Sequence, residues 1–281
     1  MVPLFVFLRC GYFLMLVIEQ LSVGYKRKRI LQDLSLSFPE GGFTALLGAN
    51  GCGKTTLLHT LAGLLKPEAG QVVLNGEPLK SLSSKQIARQ LAVLPQVTTA
   101  PAGLTVRELV MQGRFPWQNW WRQWSDEDEA AVEAAIAATG IADYLDMPLE
   151  QLSGGQRQRC WIAMTLAQDT PLLLLDEPTT YLDISHQVEL MNLIASLRLK
   201  GKTIIAVLHD LNQAATYADH LVMMKGGNVY AQGDVDQVFT PQNLKAVFDL
   251  DAHIISDPHS GNPIAVPLLE SHLCSDLKQV G

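Results

Sequence analysis

The feature that most constrains this chain is the stretch GANGCGKT at residues 48–55, which matches the phosphate-binding pattern G-x-x-x-x-G-K-[ST]. A short apolar run precedes it at residues 43–47, and residues 56–65 follow with leucines at helical spacing. A strand, a glycine-rich turn and a helix in this order direct backbone N–H groups and the positive end of a helix dipole at one anion. The stretch therefore predicts a nucleoside triphosphate site. The residues predicted to bind it are Gly48, Ala49, Asn50, Gly51, Cys52, Gly53, Lys54, Thr55 and Thr56.

Two side chains of this loop suit the charges of a triphosphate. Lys54 supplies a mobile cation for the β- and γ-phosphates, and the Thr55 hydroxyl suits a magnesium ion. The glycines let the backbone approach phosphate oxygens without an intervening Cβ. The alternative is a glycine-rich strand–helix turn that carries a lysine by chance.

A pair of carboxylates ends a later apolar run. Residues 172–175 are all leucine, as in a buried strand, and Asp176 and Glu177 follow them. Catalytic groups in open parallel sheets gather at the carboxyl ends of strands. Asp176 is positioned to hold magnesium through water, and Glu177 to orient or deprotonate the attacking water. The alternative is an acidic turn after a core strand.

Two further polar side chains occupy equivalent places at strand ends. His209 follows the apolar run 203–208 and is a candidate γ-phosphate contact, the alternative being a structural histidine. Gln96 follows the run 91–94 and can reach the metal or the attacking water by the same geometry. The predicted catalytic residues are therefore Glu177, His209 and Gln96, and the predicted metal-binding residues are Thr55, Gln96 and Asp176.

A second glycine-rich helix start, LSGGQ at residues 152–156, predicts a second anion-binding site. Ser153 is its expected N-cap. A single chain with one phosphate loop binds one nucleotide, and two anion sites on that nucleotide would have no evident use. In a two-fold dimer the second site does have a use, because each chain can close over the nucleotide that the other chain holds. The residues predicted to contact nucleotide across the dimer are Ser153, Gly154, Gly155 and Gln156.

Taken together, these motifs resemble those of the ATP-binding subunit of an ABC transporter, over residues 16–265. They occur in the family's order, namely Tyr25 (A-loop), Gly48–Thr55 (Walker A), Gln96 (Q-loop), Leu152–Gln156 (signature), Leu172–Glu177 (Walker B), Tyr181–Asp183 (D-loop) and His209 (H-loop). Within the family, residues 113–117, 152–159, 176–188 and 206–212 most resemble the ATPases of bacterial ferric-siderophore and ferric-dicitrate importers. Ala49 and Tyr181 depart from the family pattern without removing a catalytic group.

The alternation of strands and helices predicts an α/β fold with a parallel sheet flanked by helices. With the resemblance, this becomes a P-loop NTPase core of the ABC type, with an N-terminal antiparallel β subdomain and an inserted α-helical subdomain at about residues 100–165. The ATP-binding domain is predicted at residues 15–240. Residues 241–281 form a C-terminal appendix, and the chain from residue 232 onward is poorly specified by its sequence.

The resemblance also implies a function. It implies a homodimer that binds two MgATP, hydrolyses ATP at the cytoplasmic face of the cell membrane and drives a separate integral permease, served indirectly by a substrate-binding protein. The expected cargo is an iron–siderophore-type complex. The alternatives are a haem or cobalamin importer, an exporter, or a soluble ABC protein acting on ribosomes or DNA.

Composition bears on these alternatives. The formal net charge of −7 argues against a nucleic-acid-binding surface. The four cysteines lie far apart, which argues against a zinc site or a disulfide framework and fits a reducing cytosol. Residues 1–14 are largely apolar but too short to span a bilayer; either translation begins at Met15 or they are a hydrophobic extension.

Two aromatic features remain. Tyr25 lies at the base of a basic turn, where its ring can stack on a nucleotide base or be an ordinary strand-end tyrosine. Residues 117–124 carry four of the five tryptophans of the chain, interleaved with polar residues. Aromatic residues beside an arginine are typical of an interface anchor, so this segment is predicted to form or flank the permease docking surface. The alternative is that the tryptophans pack the core of the helical insert.

Overall fold

The computed structural model describes residues 8–9, 12–25, 28–96, 101–119, 124–180 and 182–268. The strands are β1 (Leu8–Arg9), β2 (Tyr12–Tyr25), β3 (Lys28–Pro39), β4 (Phe43–Gly48), β5 (Ala69–Leu74), β6 (Glu77–Pro78), β7 (Leu91–Leu94), β8 (Leu172–Asp176), β9 (Thr203–Val207), β10 (His220–Lys225), β11 (Asn228–Asp234), β12 (Ala252–Ser256) and β13 (Pro263–Pro267). The α-helices are α1 (Lys54–Leu61), α2 (Ser84–Ala88), α3 (Val106–Gln112), α4 (Asp126–Thr139), α5 (Gly154–Ala167), α6 (Ile184–Leu199), α7 (Leu211–Tyr217), α8 (Val235–Val238) and α9 (Pro241–Phe248).

The central sheet has the order β11-β10-β4-β9-β8-β7. All neighbouring pairs from β10 to β7 are parallel, and only the edge strand β11 runs antiparallel. The strands β4, β8 and β9 are buried at every position because both faces of the sheet are covered. This confirms the predicted parallel sheet, and it brings the carboxyl ends of β4, β7, β8 and β9 to one edge.

Alternate residues of the central strands enter two separate cores. Leu173 and Leu175 of β8 pack with α3–α7, α9 and the C-terminal strands. Leu172 and Leu174 pack with α1 and the N-terminal sheet. The period-2 alternation of a strand therefore divides the chain into a helical layer and a layer that contains the antiparallel strands.

The N-terminal antiparallel sheet is also present. It has the order β1-β2-β5-β6, with β3 paired to β2. In the hairpin β2–β3, pairing extends from Leu14 opposite Pro39 to Tyr25 opposite Lys28. Part of the basic turn therefore lies in β3, while residues 26 and 27 lie outside the described residues.

Helices α3, α4 and α5 form the helical insert. Thr105 and Ser125 each close a capping box, at the starts of α3 and α4 respectively. Gly113, at the end of α3, lies against α5 so closely that a Cβ there would come within 2.3 Å of the Met164 carbonyl oxygen. A side chain at that position would force the two helices apart.

The C-terminal part of the chain is folded onto the core, although its sequence specifies it poorly. Helix α9 begins with a Thr240 cap and Pro241 at its first position, which are favourable start signals. Leu244, Val247 and Ala252 join the larger hydrophobic core. Within the described residues, none of the helices has both the length and the hydrophobicity required to cross a membrane.

Candidate nucleotide-binding and hydrolysis site

The phosphate loop connects β4 to α1 and is stabilised by the side chain of its own lysine and by close packing against β10. The Lys54 side chain is only 6% exposed, and its Nζ donates to the carbonyl oxygens of Gly48 at 2.7 Å and Ala49 at 3.2 Å. Gly48 has φ 154°, and a Cβ there would come within 2.4 Å of the Met224 carbonyl oxygen on β10. The loop therefore requires glycine at this position, and its lysine is folded back over the loop where a polyphosphate would lie.

The start of α1 differs from the starts of α2, α3, α4 and α5. Its N-cap is Gly53, which makes no side-chain cap, and its first turn contains no acidic residue. By contrast, Ser83, Thr105, Ser125 and Ser153 each close a capping box on their own helix. The first N–H groups of α1 are therefore left for an external acceptor, as an anion site at a helix N-terminus requires.

Besides Lys54, two predicted nucleotide-binding residues have buried side chains. Cys52 is 7% exposed and packs in the core beneath the loop, and Thr56 is 9% exposed. The Cys52 carbonyl oxygen accepts a hydrogen bond from the Gly227 N–H at 3.1 Å, which ties the loop to the turn between β10 and β11. These residues can serve a nucleotide through the backbone, while Ala49, Asn50 and Gly51 lie exposed on the outer side of the loop.

Asp176 and Thr55 meet across the end of the sheet. The Thr55 hydroxyl donates to Asp176 Oδ1 at 3.4 Å. Asp176 is fully buried, and its Oδ2 has no hydrogen-bond partner within the described part of the chain. Burial raises the pKa of this carboxyl; the Thr55 hydroxyl opposes the shift, and the neighbouring Glu177 adds to it. A buried carboxylate oxygen without a partner is costly, and the pair presents the hard oxygen ligands that Mg²⁺ prefers, so the residues fit such an ion.

Glu177 is held between the two other predicted catalytic residues. Gln96 Nε2 donates to Glu177 Oε2 at 2.7 Å, and His209 Nε2 lies 2.6 Å from Glu177 Oε1. The carboxylate is nearly buried, with 12% of its side chain exposed. Glu177 also has φ 52°, a left-handed conformation that is strained for a residue with a side chain. The structure thus joins Gln96, Glu177 and His209, which lie on three neighbouring strand ends.

Two contacts around this group were not anticipated from the sequence. The Thr180 hydroxyl donates to Glu177 Oε2 at 3.3 Å. Gln158 of α5 is 9% exposed, and its Nε2 donates to the Pro178 carbonyl oxygen at 3.1 Å, which connects the helical insert to the loop after β8. The spacing of Thr180, three residues after Glu177, was the available signal for the first contact. No local signal exists for the second.

Tyr25 and Ser153 lie on exposed surfaces. Tyr25 is the last residue of β2 and is 49% exposed, so its ring is free of the core and open to a stacking partner. The Ser153 hydroxyl accepts a hydrogen bond from the Gln156 N–H, and the Gln156 side-chain oxygen accepts one from the Ser153 N–H. These two bonds form the cap of α5. Among the described hydrogen bonds, none joins either residue to the phosphate loop.

The tryptophan segment is partly anchored within the chain. The Trp117 ring lies near the guanidinium groups of both Arg89 and Arg114, each 5.4 Å from the ring centroid, and its Nε1 donates to a carbonyl oxygen at the end of α5 at 2.7 Å. Trp124 packs against the larger core. Residues 120–123, which include the other two tryptophans, lie outside the described residues.

Comparison with known proteins identifies the class. The ABC transporter family profile matches residues 31–180. The chain belongs to this family, in agreement with the fold and with the order of its motifs. It binds and hydrolyses ATP as an ATP-binding subunit of a transporter.

Within the family, the chain is similar to ATP-binding proteins of siderophore transport systems. The chain is 50% identical to a probable siderophore transport system ATP-binding protein of Bacillus subtilis, over 89% of this chain and 91% of that protein. It is 49% identical to the ferric enterobactin transport ATP-binding protein of Escherichia coli, over 89% and 93% of the two chains. Among solved structures, it resembles a dimeric ATP-binding cassette in a post-hydrolysis state with bound ADP and Pi, at TM-score 0.69 and 27% identity, covering 79% of this chain and 99% of that one.

Proposed function

We propose that this chain energises the uptake of an iron–siderophore-type complex through a separate membrane permease, at whose cytoplasmic face it lies as a peripheral homodimer. The hydrolytic part of the proposal is carried by the position of Glu177, which Gln96 and His209 hold at 2.7 and 2.6 Å beside the Thr55–Asp176 pair. The cargo part is supported by relatives at 50% and 49% identity that are siderophore and ferric enterobactin transport proteins.

The residues divide the work of binding the triphosphate and its metal. Lys54 and the first N–H groups of α1 bind the β- and γ-phosphates. Thr55 and Asp176, together with Gln96, would hold Mg²⁺. The ion would supply neutralisation of the charge that develops on the phosphoryl oxygens.

Glu177 acts on the attacking water. Its carboxylate accepts hydrogen bonds from Gln96 and Thr180, which fix its orientation. His209 lies on the other oxygen of that carboxylate at 2.6 Å and is 48% exposed, so its imidazole can also face the γ-phosphate. In this arrangement Glu177 orients or deprotonates the water, and His209 holds both the carboxylate and the departing phosphoryl group.

A second copy of the chain completes the site. Ser153 and the start of α5 are exposed, and no hydrogen bond between described residues joins them to the phosphate loop of their own chain, as expected if they serve the nucleotide of a partner. ATP would then contact both chains only in the closed dimer, so it favours closure by its differential affinity for that state. Hydrolysis removes this preference, and the resulting motion passes to the permease.

The remaining alternative cargo is haem or cobalamin. The chain is 38% identical to the cobalamin import ATP-binding protein of Halobacterium salinarum, and it covers 62% of that protein. This lower identity favours an iron complex. A soluble ABC protein acting on ribosomes or DNA is disfavoured by the net charge of −7.

Uptake measurements test the proposal. A strain that lacks the gene for this chain, but keeps its permease, is supplied with radiolabelled ferric hydroxamate, ferric catecholate and ferric citrate, and separately with haem and cobalamin. The unaltered chain should restore uptake of at least one ferric complex, and the Glu177→Gln variant should not. Restoration of cobalamin or haem uptake alone would overturn the assignment to iron complexes while leaving the transport ATPase in place.

A further inference from the structure

The C-terminal hairpin β12–β13 is fastened to the chain by one asparagine of α7. Asn212 Oδ1 accepts from the Ala265 N–H at 2.8 Å, and Asn212 Nδ2 donates to the Ala265 carbonyl oxygen at 3.3 Å. A primary amide carries a donor and an acceptor side by side, so it matches the two backbone groups that one residue presents at the free edge of a strand. Ala265 itself is buried in the larger core. Asn212 thus closes the outer edge of β13.

A second amide contact secures the other end of α7. Asn262 Nδ2, just before β13, donates to the Thr216 carbonyl oxygen at 3.3 Å. Thr216 lies four residues after Asn212, so the two contacts follow one face of the helix. The hairpin is therefore attached along the length of α7 and restrains both its position and its rotation.

Helix α7 begins immediately after the catalytic histidine. Asp210 is its N-cap, and the Asp210 carboxylate accepts from the N–H groups of Asn212 and Gln213. His209 precedes this cap by one residue, and its ring, with 48% of the side chain exposed, meets the Glu177 carboxylate at 2.6 Å. The placement of the imidazole relative to Glu177 then depends on the backbone at the start of α7.

The same first turn of α7 reaches a second functional loop. Gln213 Nε2 donates to Gln187 Oε1 at 2.8 Å, and Gln187 Nε2 donates to the Leu182 carbonyl oxygen at 3.0 Å. Leu182 belongs to the loop that follows the Walker B strand. The first turn of α7, and with it the backbone next to His209, is therefore also anchored to α6 through Gln187.

We infer that Asn212 is a positioning residue for ATP hydrolysis, and that the C-terminal hairpin is the brace against which it holds α7 and His209. The inference rests on the proposed roles of His209 and Glu177. It gives the C-terminal part of the chain a function in turnover, because the Asn212–Ala265 contact connects residues 53 positions apart in the sequence. Among the described hydrogen bonds, none joins Asn212 to Glu177, so it acts through the position of the helix.

Two substitutions at this residue separate positioning from folding. Asn212→Ala removes both contacts to Ala265. Asn212→Asp keeps the shape and the acceptor, places a carboxylate oxygen against the Ala265 carbonyl oxygen, and is compatible with the first turn of a helix. Each variant of the full chain should lose about tenfold in kcat, since small displacements of a catalytic group cost up to about 10²-fold, while the KM for ATP changes less than about twofold.

The matched control is Asn243→Ala. Asn243 is also a half-buried asparagine of the C-terminal region, and its Nδ2 donates to the Val238 carbonyl oxygen at 2.8 Å without reaching α7. This variant should keep parental kcat even if its thermal unfolding temperature falls. A kcat for both Asn212 variants no lower than that of Asn243→Ala would overturn the inference.

A double variant shows whether Asn212 acts through the histidine. If it does, His209→Ala/Asn212→Asp should turn over no more slowly than His209→Ala alone, because the positioned group is already absent. Effects that multiply would mean a general structural role and would overturn the inference. Parental turnover by His209→Ala itself would refute the proposed role of that histidine and the inference with it, whereas slow His209→Ala beside normal Asn212 variants would refute the inference alone.

Discussion

The replacement Glu177→Gln tests the centre of the proposed site with little change in shape. The carboxylate now receives hydrogen bonds from Gln96 and Thr180 on Oε2 and faces His209 Nε2 with Oε1. A glutamine has one oxygen and one NH₂ group, so it keeps the first set of contacts and turns its NH₂ toward His209. A neutral imidazole can accept that hydrogen bond by changing tautomer. We therefore expect the fold and the surrounding contacts to survive.

The loss should fall on the chemical step. An amide cannot take a proton from water, and removal of a general base costs about 10²–10⁴ in rate. At about 1.36 kcal/mol for each tenfold, this corresponds to about 2.7–5.4 kcal/mol in the activation free energy. Binding should change little, because Lys54, Thr55 and the start of α1 are untouched. The variant should therefore hold ATP and accumulate as a closed dimer.

Two measurements decide this prediction. Phosphate release under saturating MgATP gives kcat, and a fluorescent ATP analogue gives the dissociation constant. Size-exclusion chromatography with and without ATP then reports the dimer, with a Lys54→Ala variant as the control that should stay monomeric. Parental turnover by Glu177→Gln would refute the assignment of Glu177. Loss of ATP binding together with turnover would show that the residue serves the structure of the loop instead.

Three further predictions concern the dimer, the permease and the N-terminus. Mixing a Lys54→Ala chain with a Ser153→Arg chain should restore part of the ATPase activity that each lacks, since the heterodimer contains one intact composite site; no activity in the mixture would refute a shared site. Replacing Trp120 and Trp121 with serine should weaken co-purification with the permease while the isolated subunit stays folded and active; unfolding, or unchanged binding, would place docking elsewhere. Removal of residues 1–14 should leave solubility and ATPase activity intact, because the pairing of β2 with β5 from Leu16 onward remains; loss of folding would assign a structural role to those residues.

The local parts of the site could be read from the sequence. The phosphate loop needs glycines, a lysine and a threonine in fixed order between a strand and a helix, and each requirement is visible within about twenty residues. The carboxylates after β8 are visible for the same reason, since an unbroken leucine run predicts a buried strand and its end predicts the position of the site. These predictions depend only on neighbours in the chain.

The distant contacts could not be read in this way. The hydrogen bond from Gln96 to Glu177 depends on β7 lying beside β8, and the contact of His209 depends on β9 lying on the other side. The hydrogen bonds between Asn212 and Ala265 depend on the hairpin β12–β13. Its short strands are hard to predict from a sequence rich in proline, histidine and aspartate. Such pairings follow from the tertiary arrangement, for which the sequence offers no local signal.

The tryptophan segment illustrates a prediction that composition alone leaves open. Its bias toward aromatic residues fits both an interface and a packed insert. In the structure, Trp117 lies between two arginines and Trp124 packs against the core, which fits the second interpretation for those two residues. Phe115, two residues before Trp117, is 61% exposed. The docking prediction therefore depends on Phe115 and on Trp120 and Trp121.

The two glycine-rich helix starts differ in a way that suggests an order of events. Helix α1 has no side-chain cap, so its N–H groups gain a partner only when an anion binds. Helix α5 is capped by Ser153 and Gln156 of its own chain, so it is complete before any ligand arrives. In the proposed dimer, ATP would gain most from binding first to the phosphate loop. The positive end of the partner's α5 dipole would then face the γ-phosphate, and this helix would not first have to fold. Closure therefore loses little conformational entropy and remains reversible after hydrolysis.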